Sequence, residues 1–194
     1  MLNPLVDTRD VKFVLFELLE AQKMTEYSAF ADFDLDTFEA TIDLAEQMAV
    51  EVFYPTAEEG DKIGAKWDPV TKEVKIPEIF KPALDKFYEA GFMGLTDSPE
   101  HGGTGMPNMV GAAVNEYVCA ANYSLGMYPG LSHGAMELIY AFGTEEQKKL
   151  YADKIMTGEW GGTMCLTEPD AGSDVGNLKT KAVKQPDGTY KIQG

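Results

Sequence analysis

The run Cys165-Leu166-Thr167-Glu168-Pro169-Asp170-Ala171-Gly172-Ser173-Asp174 decides how this chain is read. An apolar stretch from Trp160 to Leu166 leads into it, which predicts a buried strand opening into a turn of small, hydroxylic and acidic residues. Such a turn offers backbone N–H groups and short hydroxyls to a ligand at close range: Gly172 permits backbone approach, Thr167 and Ser173 donate, and Ala171 keeps the way clear. Plain surface turns are built from the same residue types, so the composition alone leaves both roles open.

Outward from the turn, glycines pair and β-branched residues alternate with lysines at Lys181 and Val183. Pro186-Asp187-Gly188 is a strong turn signal before Thr189-Tyr190-Lys191-Ile192, and together these predict a hairpin. Most of the first 155 residues read instead as helices. Val11, Val14, Leu15, Leu18 and Leu19 recur at helical spacing. Asp36 and Glu39 resemble a capping box ahead of a stripe of Phe38, Ile42, Ala45, Ala49, Val52 and Phe53, which is expected to end before Pro55. Pro82 suits a first helical turn and Gly91 a stop. Residues 56–77 break the pattern, with Lys66 to Ile76 fitting a short hairpin or an extended loop, and Ser98 to Asn108 form a second irregular segment. Separate helices are expected from Met109 to Val118 and from Ser132 to Phe142, followed by one capped by Thr144. A domain boundary falls near Gly158, giving a helical domain over 1–158 with an irregular insertion near 56–77, and the start of a β domain over 159–194.

The 194 residues carry 16 basic and 32 acidic side chains, a net charge of −16, with Arg9 the sole arginine. That balance excludes the basic footprint of a nucleic-acid binder and disfavours anionic membrane surfaces. No stretch approaches transmembrane length, and Met1 to Asp10 lacks the basic and long apolar regions of a signal peptide. Cys119 and Cys165 stand isolated, so a reducing cytoplasm is the simplest setting.

Cys165 to Asp174 closely resembles the first signature of the acyl-CoA dehydrogenases. The likeness extends to Gly143-Thr144-Glu145-Glu146-Gln147-Lys148, to Gly158-Glu159-Trp160, to the loop Pro99-Glu100-His101-Gly102-Gly103-Thr104-Gly105, and to the terminal Gly188-Thr189-Tyr190-Lys191-Ile192-Gln193-Gly194. Leu2 to Gln22 and the 56–77 segment resemble a longer subgroup that includes the methylthiopropanoyl-CoA dehydrogenases. The resemblance implies a mainly α chain: the family's N-terminal helical-bundle domain, followed by the opening strands of the middle β-barrel domain. It implies FAD as cofactor and an acyl-CoA thioester as substrate in fatty acid metabolism, with α,β-desaturation as the reaction. It further implies an electron-transfer acceptor protein as partner and a homo-oligomeric parent. By the same resemblance Met164, Cys165, Leu166 and Thr167 line the flavin, while Gly172 and Ser173 approach pyrophosphate or pantetheine, Ser173 thereby contacting substrate. Met164 departs from the aromatic residue frequent there, and Asp170 from a frequent glycine.

Glu168, followed by Pro169, is expected to bond locally and not to act as the base, which the family draws from its C-terminal helical domain, beyond Gly194. No catalytic residue is therefore expected within this chain, which reads as a fragment inactive by itself. An acyl-CoA oxidase or flavin monooxygenase of the same superfamily, or a non-catalytic helical interaction module, are the alternatives. His101 and His133 lack any flanking ligand pattern, so no metal is expected. Adjacent Ser132 and His133 do not face each other on a helix. Gly103-Thr104-Gly105 fails the dinucleotide fingerprint at Asn108. Met106, Met109, Met127 and Met136 fit either an acyl pocket or core filling, the commoner use.

Overall fold

In the computed structural model, which describes residues 3–194, the chain separates into two compact units meeting between Gly162 and Thr163. Met1 and Leu2, the start of the stretch carrying the subgroup resemblance, lie outside the described residues. The first unit is helical. Its core is set by α2 (Leu35–Met48), where Phe38, Ile42 and Ala45 are fully buried at spacings of one helical turn. Ala49 and Phe53 extend the same stripe and are also fully buried. This stripe packs on α5 (Asn108–Phe142) through Val110, Val114, Tyr117, Val118 and Leu125. Each such side chain contributes about 1.5–3 kcal/mol by leaving water. The Tyr117 hydroxyl donates to Thr8 Oγ1 at 2.9 Å, tying α5 to α1 (Thr8–Lys12).

Several helix ends differ from their sequence signals. Asp34, and not Asp36, caps α2: its carboxylate accepts from the Thr37 backbone N–H at 2.8 Å. Either aspartate precedes the apolar stripe, and only Asp34 has the extended backbone that aims a cap oxygen at the first turn. The helix also does not end before Pro55. It runs on as a π-helical turn over Ala49–Phe53 and a 3₁₀ turn over Tyr54–Thr56, where the proline sits in a first turn and its missing N–H costs nothing. The 56–77 segment is only partly irregular. Ala57–Ile63 forms α3, and Lys66–Trp67 (β1) pairs antiparallel with Val74–Lys75 (β2). Next comes α4, Phe80–Glu89, with Gly91 at φ 74° behind it as the left-handed stop.

The two helices expected at 109–118 and 132–142 are one kinked element. Within α5 only Asn122 leaves helical geometry (φ −160°, ψ 93°). Its side-chain oxygen accepts from the Leu125 backbone N–H at 3.1 Å, which caps the second half internally. Its amide donates to Thr56 Oγ1 at 2.8 Å, and Thr56 in turn donates to the Phe53 carbonyl at 2.6 Å. Thr144 then caps α6 (Glu145–Gln147) in a full capping box with Gln147, as its sequence position indicates. The chain continues through Lys148–Ala152 into α7, Asp153–Met156.

The apolar run from Trp160 to Leu166 is not a buried strand. Trp160 is held at α7, its N–H on the Lys154 carbonyl at 3.1 Å and the Lys154 ammonium 4.3 Å above its ring. Gly162 donates to Ser132 Oγ at 3.0 Å. From Thr163 to Thr167 no described strand pairs with the chain, and Met164 and Leu166 are 55% and 48% exposed. Without a ladder partner an apolar run does not become a strand. In the second unit, β3 (Lys181–Lys184) pairs antiparallel with β4 (Tyr190–Gln193) around the predicted turn. No described helix is long and apolar enough to cross a membrane.

Candidate functional site

In the second unit the turn is built around Glu168. Its backbone exchanges hydrogen bonds with Ala171 (2.8 and 3.2 Å), closing the Pro169–Asp170 tip. Its carboxylate accepts the Lys179 N–H at 2.8 Å, the Thr180 N–H at 3.0 Å and the Thr180 hydroxyl. These bonds, led by the Thr180 hydroxyl, hold the carboxyl below its usual range although it is exposed. Glu168 thus staples the turn to the segment entering β3, the local bonding expected of it. Asp170 pairs with the exposed Lys179 ammonium at 2.6 Å.

Met164, Cys165, Leu166, Thr167, Gly172 and Ser173 all lie exposed along this turn and its approach. Among the described residues the backbone N–H groups of Met164 to Thr167, and the hydroxyls of Thr167 and Ser173, have no partner in the chain. A Cβ on Gly172 would meet only ordinary contact, the Thr167 methyl at 3.6 Å, so nothing within the chain demands glycine there. Exposed N–H groups and hydroxyls with no partner in the chain are free to bond water or a ligand.

A second site lies wholly inside the first unit. A half-open cavity of about 340 Å³ lies between α4, the turn at Phe92–Thr96 and α5. Phe87, Phe92, Met93, Leu95, Val114 and Val118 supply apolar wall, and Thr96, Asn108, Asn115 and His133 supply polar atoms. The size falls at the lower end of small-molecule pockets. Glycines shape it in different ways. A Cβ on Gly111 would lie 2.4 Å from the Thr96 methyl, whereas one on Gly130 would meet nothing within 4 Å. Of the four methionines weighed for an acyl pocket, none lines this cavity; Met106 and Met136 are buried in the core.

The loop Ser98–Gly105 positions the cavity's polar corner. Thr104 N–H donates to the Gly94 carbonyl at 2.8 Å and Gly105 N–H to the Asp97 carbonyl at 2.9 Å, folding the loop onto itself. Gly103 passes so close beneath Asp97 that a Cβ would lie 2.2 Å from the Asp97 carbonyl oxygen. The Asp97 carboxylate then receives His133 Nε2–H, at 2.8 Å to Oδ1 and 3.0 Å to Oδ2. This bond raises the imidazole pKa above 6.5 against the opposing effect of burial. Glu137, one turn along α5, brings a carboxylate oxygen within 4.8 Å of both partners. The three could encircle a cation through a ring nitrogen and two carboxylates; His133 Nε2 is on Asp97. Sequence spacing missed this corner because Asp97 and His133 are 36 residues apart. His101 serves elsewhere, stacked on the Tyr140 ring at 4.0 Å.

Helical core, glycine loop and stapled turn give a helical domain followed by a small β unit. Residues 39–159 match the family model described as acyl-CoA dehydrogenase, N-terminal domain, and the chain belongs to the acyl-CoA dehydrogenase family. It is 38% identical over 186 residues to a 3-methylmercaptopropionyl-CoA dehydrogenase of Ruegeria pomeroyi, covering 96% of this chain and 31% of that protein. It is 39% identical over 188 residues to a broad-specificity linear acyl-CoA dehydrogenase of Mycobacterium tuberculosis, covering 97% and 30%. Among solved structures, an acyl-CoA dehydrogenase complexed with FAD from Bacillus anthracis superposes with a TM-score of 0.65 at 27% identity, covering 84% of this chain and 26% of that one. The chain thus spans about 30% of the length of the curated relatives it matches.

Proposed function

We propose that these residues form the N-terminal part of an FAD-dependent acyl-CoA dehydrogenase that desaturates an acyl-CoA thioester between its α and β carbons. The observation that carries this reading is the family match over residues 39–159. FAD is supported by the relative complexed with it and by the unpaired donors at Met164 to Thr167. When bound, the flavin supplies the acceptor for the β-hydrogen as hydride. The chain's own part is to bind and orient. Backbone groups of Met164, Cys165, Leu166 and Thr167 hold the flavin edge, and Gly172 and Ser173 face phosphate or pantetheine, Ser173 touching substrate. The half-open cavity between α4 and α5, with its largely apolar wall, offers room for part of an acyl chain.

Among the described residues no carboxylate lines that cavity, and Glu168 is engaged in its staple, which supports a base drawn from a part of the enzyme other than this segment. The 194-residue segment is then catalytically silent by itself. Reduced flavin needs an oxidant, for which an electron-transfer protein acting on a cytoplasmic homo-oligomer is the fitting partner. The test uses the protein as its gene encodes it. Purified protein should carry flavin absorbance that bleaches anaerobically on adding a saturated acyl-CoA. Flavin-free protein, or flavin that acyl-CoA does not reduce, would sink this reading.

A further inference from the structure

Asp97 is a buried carboxylate with few donors. Its side chain is 6% exposed, and among the described residues both its oxygens accept from one group alone, His133 Nε2. An ionised carboxylate offers about four lone-pair sites, so a single N–H leaves most of that capacity unused. No lysine or arginine pairs with it among the described residues. Buried charges of this kind are offset by a paired charge or by a metal ion. Asp97 is also held still. Gly105 N–H bonds its carbonyl at 2.9 Å, and Gly103 passes so close that a Cβ would lie 2.2 Å from that carbonyl oxygen.

Across from it, His133 and Glu137 stand four residues apart in α5, beyond the kink at Asn122. That spacing puts both side chains on one face of the helix. Glu137 is exposed and makes no hydrogen bond or ion pair among the described residues. One ligand atom from each of Asp97, His133 and Glu137 lies within 4.8 Å of the other two. A hydrogen bond between His133 and Asp97 has no use for the third group, whereas a cation does. Neighbouring ligands on one ion, with bonds of about 2.1 Å at right angles, sit about 3.0 Å apart. His133 Nε2 already stands 2.8 and 3.0 Å from the Asp97 oxygens.

We propose that Asp97, His133 and Glu137 form a binding site for one divalent transition-metal ion, zinc in first place, which clamps the glycine loop after Asp97 to α5. An imidazole nitrogen selects against magnesium and calcium, and one nitrogen with two carboxylate oxygens suits zinc. Water completes the shell on the side where Glu137 meets solvent. The ion takes the place of the Nε2 proton, and a neutral ring then carries its one proton on Nδ1. The clamp goes beyond the dehydrogenase reading and does not depend on it.

The test titrates the metal-stripped, gene-encoded protein with Zn²⁺ against a chromophoric chelator, with Mg²⁺ in excess throughout. A single tight zinc per chain should bind and should raise the melting temperature. Glu137 is exposed, so Glu137→Gln leaves the His133–Asp97 bond as it is. That variant should weaken zinc about tenfold or more and cut the rise in melting temperature. His133→Gln should weaken zinc at least as much. Absence of stoichiometric zinc uptake overturns the proposal. Unchanged affinity in either variant also overturns it, by assigning the ion to carboxylates elsewhere on an acidic surface. Flavin content and its reduction by acyl-CoA, read on the same preparations, test the dehydrogenase reading separately.

Discussion

At the scale of single residues, two long-range polar pairs and one stapling carboxylate fix local geometry. Asn122 and Thr56 are both buried, and each satisfies the other while capping or closing backbone. Asn122→Ala removes the donor to Thr56 Oγ1, which keeps its own bond to the Phe53 carbonyl, and removes the Leu125 cap, and should cost about 1–3 kcal/mol of stability by urea titration. The His133–Asp97 pair behaves differently because it titrates. Its folded-state pKa is raised, so the stabilisation is fully present below 6.5 and is lost as pH rises through the higher folded value. The deficit of Asp97→Asn relative to wild type should therefore be largest on the acid side and shrink as pH rises; a deficit that grows with pH would contradict the pairing. Neither pair was legible in the sequence, since the partners stand 66 and 36 residues apart and nothing local marks them. Glu168 was legible, because Pro169 and the small residues after it confine that carboxylate to a turn.

At the scale of elements, Thr144, Gly91 after α4 and the Pro186-Asp187-Gly188 turn sit where their local chemistry places them, whereas the cap expected at Asp36 falls to Asp34. Thr144→Ala should destabilise by about 1 kcal/mol, read as a shift in the denaturation midpoint at constant slope. Failures arose where a distant partner decides. Asn122 bends α5 without ending it because its amide reaches Thr56, so two helical stretches fuse. The Trp160–Leu166 run reads as a strand by composition, but Lys154 and Ser132 claim its first residues and no described strand pairs with the rest. Gly103→Ala would drive a methyl into the Asp97 carbonyl and should cost about 1–3 kcal/mol by strain, while also displacing the His133 partner.

At the scale of the molecule, the two units differ in what holds them. The first buries a continuous apolar cluster from Val11 to Ile155. In the second, β3 and β4 are exposed throughout, and a lone two-stranded hairpin is marginal in water. Amide hydrogen exchange on the 194-residue chain should show Lys181–Gln193 exchanging orders of magnitude faster than the α2 interior. Comparable protection in both would mean that the hairpin gains support from elsewhere.

Gly130 gives this architecture an evolutionary consequence. It sits inside a helix, where glycine is about 0.5–1 kcal/mol worse than alanine, and an alanine there would collide with nothing. Selection for heat resistance alone would therefore be free to adopt Gly130→Ala, and larger residues after it. Each added carbon would enter the space between α4 and α5 and reduce its volume. A library screened only for melting temperature should drift toward a filled cleft, so that durability and open space are opposed at a single codon.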